Sequence, residues 1–323
     1  MPSPDAFKLP TRETPSLWRK YRLEITVWLG GALAIFGIFV SHAFRESDTV
    51  DRAAAGQLGD FVGGFVGTFF ALVSVVLLIR TLREQRQSGL KEEFENKYFA
   101  LVKMHRDNVA ELQLQSAIGR RIFVLMLREL RAILDVAKSA AQRHKLQLTR
   151  EQLLHVSYYC LFFGVGPNSS RMLSNSLIGF DVGFVQALSN ELDNKALKDL
   201  VTVQLQLGYA PFDGHQSRLG HYYRHLYQAV CYVDQAPDLS DFEKYQYVKT
   251  IRAQLSTQEQ ALLLVNSLTP IGHGWWEDKL MIKYRLVKNL PKGFFDETTE
   301  IDVSPLFPSG YFEWEEVESR KAS

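Results

Sequence analysis

Two long apolar stretches dominate the pattern of hydrophobic and polar positions near the start of the chain. Residues 25–44 read ITVWLGGALAIFGIFVSHAF and carry no ionised side chain, and residues 59–79 carry only Asp60, at one end. A helix needs about 20 apolar residues to cross a bilayer, and buried core helices are seldom apolar over that length. The pattern therefore predicts a transmembrane hairpin at 25–79, with spans at 25–44 and 59–79 and a short external loop at 45–58.

Basic residues flank this hairpin on both sides. Five lysines and arginines precede the first span, whereas the connecting segment has only Arg45 and Arg52, offset by acidic residues. Four more follow the second span, namely Arg80, Arg83, Arg86 and Lys91. Because short basic segments tend to stay in the cytoplasm, we expect both termini there, with residues 1–24 forming a proline-containing tail.

Beyond the second span the pattern changes to helical periodicity among charged residues. Apolar residues recur at 3.6-residue spacing from Leu90 to Leu112, and no helix breaker precedes Gly89. This spacing predicts a long helix at 80–116 that links the membrane to the body and would couple the two mechanically. The remaining residues, 117–323, are predicted to form a helical cytoplasmic domain.

Within that domain, three helix starts are marked by capping boxes, in which a hydroxyl and a carboxylate or amide three residues later satisfy exposed backbone donors. The pairs are Thr149 with Gln152, Ser240 with Glu243, and Ser256 with Glu259. Helices are predicted near 121–144, from 150, and at 186–206, 217–234, 242–255, 257–268 and 277–289. A loop is expected at 164–183, and the strand signals amount to a short hairpin after Phe294. The predicted fold class is all-α.

The overall charge and the cysteines narrow the functional classes. The net charge is +1, with 37 basic against 36 acidic residues, so the chain lacks the basic surface of a general nucleic-acid binder. Cys160 and Cys231 lie in apolar helical patterns, where free buried thiols are the ordinary outcome in a reducing compartment. We expect no disulfide, no metal site and no cofactor.

A row of small residues follows one side of the second span. Gly59, Gly63 and Gly67 recur every fourth residue, and Ala71 continues the row. Such faces let helix backbones approach closely, either between the two spans of one chain or between chains. Asp60 at the outer end is either a solvated cap or, if several chains cluster, part of a cation-favouring ring in a pore.

The segment RLGHYYRHLYQ, residues 218–228, concentrates candidate chemistry. His221 and His225 have the one-turn spacing of a metal pair, but no acidic partner completes the pattern. Arg218 and His225 also match the loose arginine–histidine spacing of HEPN-type ribonucleases, in which the pair would act as general acid and base, although Leu219 replaces the polar residue common there. Hydrogen-bonded structural histidines are the simpler interpretation.

The same segment is rich in tyrosine. Tyr222, Tyr223, Tyr227 and Tyr232, with Arg224, could clamp a nucleotide or single-stranded nucleic acid, or could simply be core residues. Arg252, Gln254 and Asn266 are polar residues in an otherwise apolar helical pair and could cross-link buried backbone ends. The candidate ligand or partner surface comprises His221, Tyr223, Arg224, His225, Arg252 and Gln254.

Several stretches together resemble the bacterial family of phage abortive infection proteins similar to AbiC. They are GQLGDFVGGFVGTFFALVSVVLLIRTLREQ from Gly56, FENKYFALVKMH, GRRIF, GHYYRHLYQ and KYQYVKTIRAQLSTQEQALLLVNSL from Lys244. The resemblance implies an anti-phage effector of the bacterial inner membrane that disables the infected cell, similar to two-span effectors that accompany retron reverse transcriptases. It supplies no catalytic residues.

Three functional hypotheses follow. The leading one is a two-span effector whose helical body keeps the hairpin quiet until activation lets chains associate and disrupt the membrane. Its expected partners are the lipid bilayer, other copies of the chain and a regulator such as a reverse transcriptase with its nucleic acid. The alternatives are a membrane-tethered ribonuclease that uses Arg218 and His225, and a non-toxic membrane scaffold or receptor.

Overall fold

A computed structural model describes residues 26, 29–31, 33, 37, 52–167 and 169–322. The chain divides into two compact units, one within residues 11–97 and one that includes residues 98–323. Most of the first predicted span, the tail at 1–24 and residues 45–51 lie outside the described part, although the six described residues between 26 and 37 are helical.

One continuous helical run begins in the amino-terminal unit and ends at Glu111, within the second unit. Helix α1 (Arg52–Phe61) passes through a π-helical turn (Val62–Val66) into α2 (Gly67–Glu111), which is 45 residues long. Residues 52–58, which the sequence analysis assigned to a loop, are therefore helical. Within the described residues, Gly59–Glu111 is one helix that could cross a membrane by length and composition, and none of its apolar window is buried.

Helix α2 ends five residues before the predicted boundary at 116. Its end is followed by a two-stranded antiparallel hairpin, β1 (Gln113–Leu114) and β2 (Ala117–Ile118), and by Gly119 at φ +62°. The strand signal after Phe294 was wrong, because the described residues there form turns held by Asp296, whose carboxylate accepts hydrogen bonds from the Thr298 and Thr299 amides.

The body is all-α, as predicted. Its helices are α3 (Arg121–Arg143), α4 (Arg150–Phe163), α5 (Ser170–Ser176), α6 (Val182–Leu192), α7 (Lys195–Leu205), α8 (Gln216–Asp234), α9 (Asp241–Arg252), α10 (Thr257–Ser267), α11 (Gly274–Glu277), α12 (Leu280–Lys283) and α13 (Glu313–Ala322). Short 3₁₀ turns lie at Pro270–Gly272 and Ser304–Leu306. All three predicted capping boxes are present.

Helices α3 and α10 form the centre of this body. The apolar stripe of α3, with Ile122, Phe123, Met126 and Ile133 fully buried, packs against α4, α6, α7 and α10. Helix α10 is buried from Glu259 to Ser267, which is typical of a helix that is apolar nearly all round.

Two predicted helices are broken in the structure. The helix expected at 186–206 is two helices, because Asn194 caps a new start by accepting a hydrogen bond from the Ala196 amide. The helix expected at 277–289 is limited to the single turn of α12, since Lys279 before it and Arg285 after it adopt positive φ. The loop at 164–183 contains α5.

Candidate functional site

Helix α8 carries most of the residues singled out in the sequence and presents them to two separate hollows. One hollow, the α2–α8 cleft, has a volume of about 350 Å³ and includes Asn108, Glu111, Arg218, His221 and Tyr222 in its lining. The other, the aromatic cavity, has a volume of about 390 Å³. One helix thus contributes to two candidate sites.

Of the predicted arginine–histidine pair, only Arg218 lines the α2–α8 cleft. Arg218 lines the cleft and donates a hydrogen bond from Nε to the Gln113 carbonyl over 3.2 Å, whereas His225 does not line it. The buried His225 Nδ1 has no hydrogen-bond partner in the described part of the chain. A ribonuclease role for Arg218 and His225 stays a prediction from their spacing in the sequence.

A buried histidine lies near this cleft, on α2. His105 is 3% exposed, its ring lies 5.0 Å from that of Tyr222, and its Nδ1 has no hydrogen-bond partner among the described residues. Burial lowers the pKa of His105 to about 4, and the neighbouring His225 and Arg120 add to the effect. His105 is therefore neutral at physiological pH.

The buried side chain of Glu259 connects α10 with α8 and with the start of α3. It is 1% exposed and belongs to the capping box of α10, where it accepts a hydrogen bond from the Ser256 amide. Its carboxylate also accepts hydrogen bonds from Arg120 Nε and the Tyr222 hydroxyl, both at 3.2 Å. Burial, together with this carboxylate, raises the pKa of Tyr222. One capping residue thus joins α10 to α8 and to the start of α3.

The aromatic cavity contains Tyr223 and Arg224 from the predicted ligand surface. Its other walls are Phe162 of α4, Tyr227 of α8, Asn266 of α10, and Ile271 and Trp275 beyond it; Gly220, Gly272 and Gly274 complete the lining. Trp275 is 2% exposed and meets Tyr227 edge to face, with ring centres 4.9 Å apart. Asn266 donates to the Tyr158 hydroxyl over 2.9 Å. This combination of aromatic faces, one cation and few bulky polar groups suits a flat organic molecule.

The rest of the predicted ligand surface is dispersed. Arg252 is buried and donates hydrogen bonds to the Tyr284 and Arg285 backbone carbonyls. It therefore cross-links buried backbone, which is the structural role that the sequence also allows. Gln254 lines a different groove, and its carbonyl accepts from Arg120 over 2.5 Å. His221 is exposed on the cleft. The six residues therefore do not form one surface.

A fully buried carboxylate, Glu129 on α3, was not identified from the sequence. It accepts hydrogen bonds from the Tyr209 hydroxyl and the Phe212 amide, both at 2.7 Å, and lies 2.9 Å from His215 Nε2. The only local signal was a carboxylate between apolar positions of a helix. Gly164 helps to seat its partners, because at φ +83° a Cβ there would come within 2.6 Å of the Asp213 carbonyl.

The predicted membrane-packing residues lie on the amino-terminal helical run. Gly59, Asp60, Gly63, Gly67 and Ala71 are all exposed. A Cβ added at Gly59, Gly63 or Gly67 would meet no atom of another described residue within 4 Å. The π-helical turn between Gly59 and Gly67 interrupts the regular α-helical spacing of the row.

Among the described residues, the metal-binding side chains and the Cys160 thiol provide no further candidate site. Within the described residues, histidine, cysteine and carboxylate side chains form no group of three or more that could hold a metal. Cys160 is buried and free, and burial raises its pKa to about 12. A thiol with so high a pKa is a poor nucleophile.

Residues 214–295 match the family model described as "Putative phage abortive infection protein". The resemblance predicted from the sequence is confirmed over this segment. No curated protein and no solved structure matches the chain. The matched segment runs from α8 past α12 and supplies every residue of the aromatic cavity except Phe162.

Proposed function

From the match of residues 214–295 to phage abortive infection proteins, we propose that the chain is a membrane-anchored effector of phage defence. In this proposal a two-span hairpin lies in the bacterial inner membrane, with both termini in the cytoplasm. On activation, hairpins from several chains associate and disrupt the membrane, which stops growth of the infected cell. The proposal assigns no catalytic step to the body.

One structural observation carries the membrane part of this proposal: among the described residues, none of the apolar window of the helical run Gly59–Glu111 is buried. Phe65 is 67% exposed and Leu72 is 63% exposed. Contiguous apolar surface of this extent is unstable in water and marks contact with lipid or with another protein. Its length favours lipid, because an apolar helix of about 20 residues matches the hydrocarbon thickness of a bilayer.

The small residues of the same helix support association between chains. The described residues leave space beside Gly59, Gly63 and Gly67, where the backbone of a second helix could approach closely. In a membrane, two helices gain no hydrophobic free energy by associating, because lipid tails are as apolar as their side chains. Helices therefore associate through close backbone packing of this kind. Asp60, at the outer end, would then be repeated around any central opening and would favour cations.

Helix α2 supports a role for the body in control. The helix that begins with the apolar segment continues without a break to Glu111. Tyr98, His105 and Val109, near its far end, are buried, and the Tyr98 hydroxyl donates to the Tyr247 carbonyl over 2.9 Å. A change in the packing of these residues would act on a helix shared with the membrane segment. The nature of the regulator, such as a reverse transcriptase with its nucleic acid, stays a prediction from the resemblance.

The test compares two glycine substitutions in the full chain, expressed in bacteria and challenged with phage. Gly63→Leu blocks the small-residue face, whereas Gly89→Leu places the same side chain on the same helix beyond the apolar segment. At both positions an added Cβ meets no atom of the described part of the chain within 4 Å. We expect wild type and Gly89→Leu to lose membrane potential and arrest growth, and Gly63→Leu to keep both normal. A voltage-sensitive dye and optical density measure the outcome.

Three results would contradict the proposal. The first is growth arrest with intact membrane potential. The second is fragmentation of total RNA before any loss of potential, which would favour the ribonuclease hypothesis and would be tested with His225→Ala. The third is an equal effect of Gly63→Leu and Gly89→Leu on membrane potential and growth. That result would show that association through the small-residue face is not needed for the activity.

A further inference from the structure

The aromatic cavity combines three features that no part of the proposed membrane activity requires. Its volume of about 390 Å³ is within the range of small-molecule sites, about 300–1,000 Å³. Aromatic side chains from α4, α8 and α11 form its walls, and the cationic side chain of Arg224 lies at its edge. We propose that this cavity binds a small planar aromatic anion of the nucleotide type.

The walls select for a flat ring. Phe162, Tyr227 and Trp275 present aromatic surface, and Gly220, Gly272 and Gly274 contribute no side chain that would occupy the space. A Cβ on Gly274 would meet the Tyr227 hydroxyl at 3.1 Å, so a larger residue there would press on the wall. Stacking of a base on an aromatic side chain contributes about 1–3 kcal/mol.

Arg224 supplies the charge. It is exposed, lines the cavity, and forms no ion pair or hydrogen bond with any other described residue. Among the described residues that line the cavity, none carries a carboxylate, and Asp278, which accepts a hydrogen bond from the Tyr227 hydroxyl, lies outside the lining. A guanidinium left unpaired beside aromatic surface can hold a phosphate through two parallel hydrogen bonds.

Tyr223 adds a further aromatic side chain to the wall. It is 7% exposed and lines the cavity, whereas its hydroxyl is buried beside the Tyr158 hydroxyl, which accepts a hydrogen bond from Asn266. Tyr223 therefore extends the aromatic surface against which a flat ring can pack.

The test measures binding of nucleoside monophosphates to the purified full chain in detergent, by calorimetry and by the shift in thermal midpoint. Four nucleotides, with adenine, guanine, cytosine and uracil bases, are compared with inorganic phosphate. We expect at least one nucleotide to bind and to raise the midpoint, and phosphate alone to have no effect at the same concentration.

Two variants connect that binding to the cavity. Gly220→Leu fills the space, whereas Gly220→Ala is its matched control, since a Cβ there meets only Phe162, at an ordinary 3.9 Å. We expect Gly220→Leu to abolish binding and Gly220→Ala to preserve it. Arg224→Gln should weaken binding about tenfold or more, as expected for loss of a charge-assisted hydrogen bond, with no change in the midpoint of the unliganded protein.

The proposal is overturned if none of the four nucleotides binds at millimolar concentration, if Gly220→Leu binds as the wild type does, or if phosphate alone binds as tightly. If Arg224→Gln binds nucleotides with unchanged affinity, Arg224 does not hold the anionic group, and the proposal of a site for an aromatic anion is overturned. Because the readout is binding to purified protein, the result is independent of whether the hairpin disrupts a membrane.

Discussion

Several individual side chains in the body are polar, buried and fully engaged, and Glu129 is the clearest case. Its carboxylate is inaccessible to solvent and is held by Tyr209, the Phe212 amide and His215. Removing one member of such a set leaves the other members buried without partners, which costs more than the hydrogen bonds contributed. Glu129 thus secures the segment before α8 against α3.

We predict that Glu129→Leu lowers the free energy of unfolding by about 3 kcal/mol, since it leaves a hydroxyl, an amide and an imidazole unpaired in the core. Glu129→Gln should cost less because an amide oxygen still accepts. Asp135→Asn, at an exposed position of the same helix, should change the free energy by no more than about 0.5 kcal/mol. Thermal unfolding in detergent measures all three, and equal losses at positions 129 and 135 would contradict the assignment.

His105 makes a pH-dependent contribution. Its pKa is lowered from 6.5 to about 4 in the folded chain, so the unfolded state binds a proton first as the pH falls. Stability is therefore complete above about pH 6.5 and is lost as the pH falls towards 4, by up to about 3 kcal/mol at about 1.4 kcal/mol per pH unit.

The corresponding variant is His105→Leu. We expect it to reduce the loss of thermal midpoint between pH 7 and pH 4.5, and His221→Leu, at an exposed position on α8, to leave that loss unchanged. Part of the dependence should persist in His105→Leu because burial also lowers the pKa of His155. A variant with the full wild-type pH dependence would show that His105 is protonated equally in both states.

At the scale of elements, two capping boxes with the same local chemistry have different surroundings. Ser240 and Glu243 start α9, and Ser256 and Glu259 start α10. Only the second carboxylate is buried, where it also holds Arg120 and Tyr222. The Ser256–Glu259 capping box, a local motif, therefore also contributes contacts between elements distant in the chain.

We predict that Glu243→Ala costs about 1 kcal/mol, the ordinary value of a cap contact. Glu259→Ala should cost about 3 kcal/mol, because it also leaves the buried Tyr222 hydroxyl without its acceptor. The two thermal midpoints are compared under identical conditions. Equal shifts would mean that the contacts of Glu259 beyond the cap contribute no stability.

The helix boundaries illustrate what local pattern can predict. Helices with capping boxes began where predicted, because a cap depends on residues only three positions apart. The helix expected at 277–289 failed for a non-local reason: Arg285, at φ +51°, is 1% exposed and donates to the Tyr311 carbonyl and the Glu316 carboxylate. Contacts with residues 26 and 31 positions away override helix propensity at that position.

At the scale of the whole molecule, the decisive question is whether the exposed apolar helix lies in lipid. Leu72 lies within the apolar segment and Leu90 beyond it, and both are exposed. An arginine at the centre of a membrane span disfavours insertion by about 2.5–3.5 kcal/mol, whereas one in water has little effect.

We therefore predict that Leu72→Arg reduces the carbonate-resistant membrane fraction of the full chain severalfold, and that Leu90→Arg leaves it unchanged. Immunoblots of membrane and supernatant fractions give the ratio. If wild type itself stays in the supernatant, or if both arginines act equally, the helix is not a span.

The candidate sites combine local and non-local information. The segment from Arg218 to Gln228 was identified from its composition, and Tyr223 and Arg224 do line one cavity. Phe162, Asn266 and Trp275 could not be assigned to the same cavity from the sequence, because they come from three other elements distant in the chain. Arg218 and His225, close in sequence, are not brought into one cleft.

The sequence by itself determined the apolar segment, the helical class and the starts of the three helices with capping boxes, because hydrophobic length, periodicity and capping depend on neighbours within a few residues. Only the tertiary structure decided which polar groups are buried together, as at Glu129 and Glu259, and which faces of α8 open onto cavities. The physical reason is that burial and juxtaposition result from packing between elements distant in the chain, which no local pattern of residues specifies.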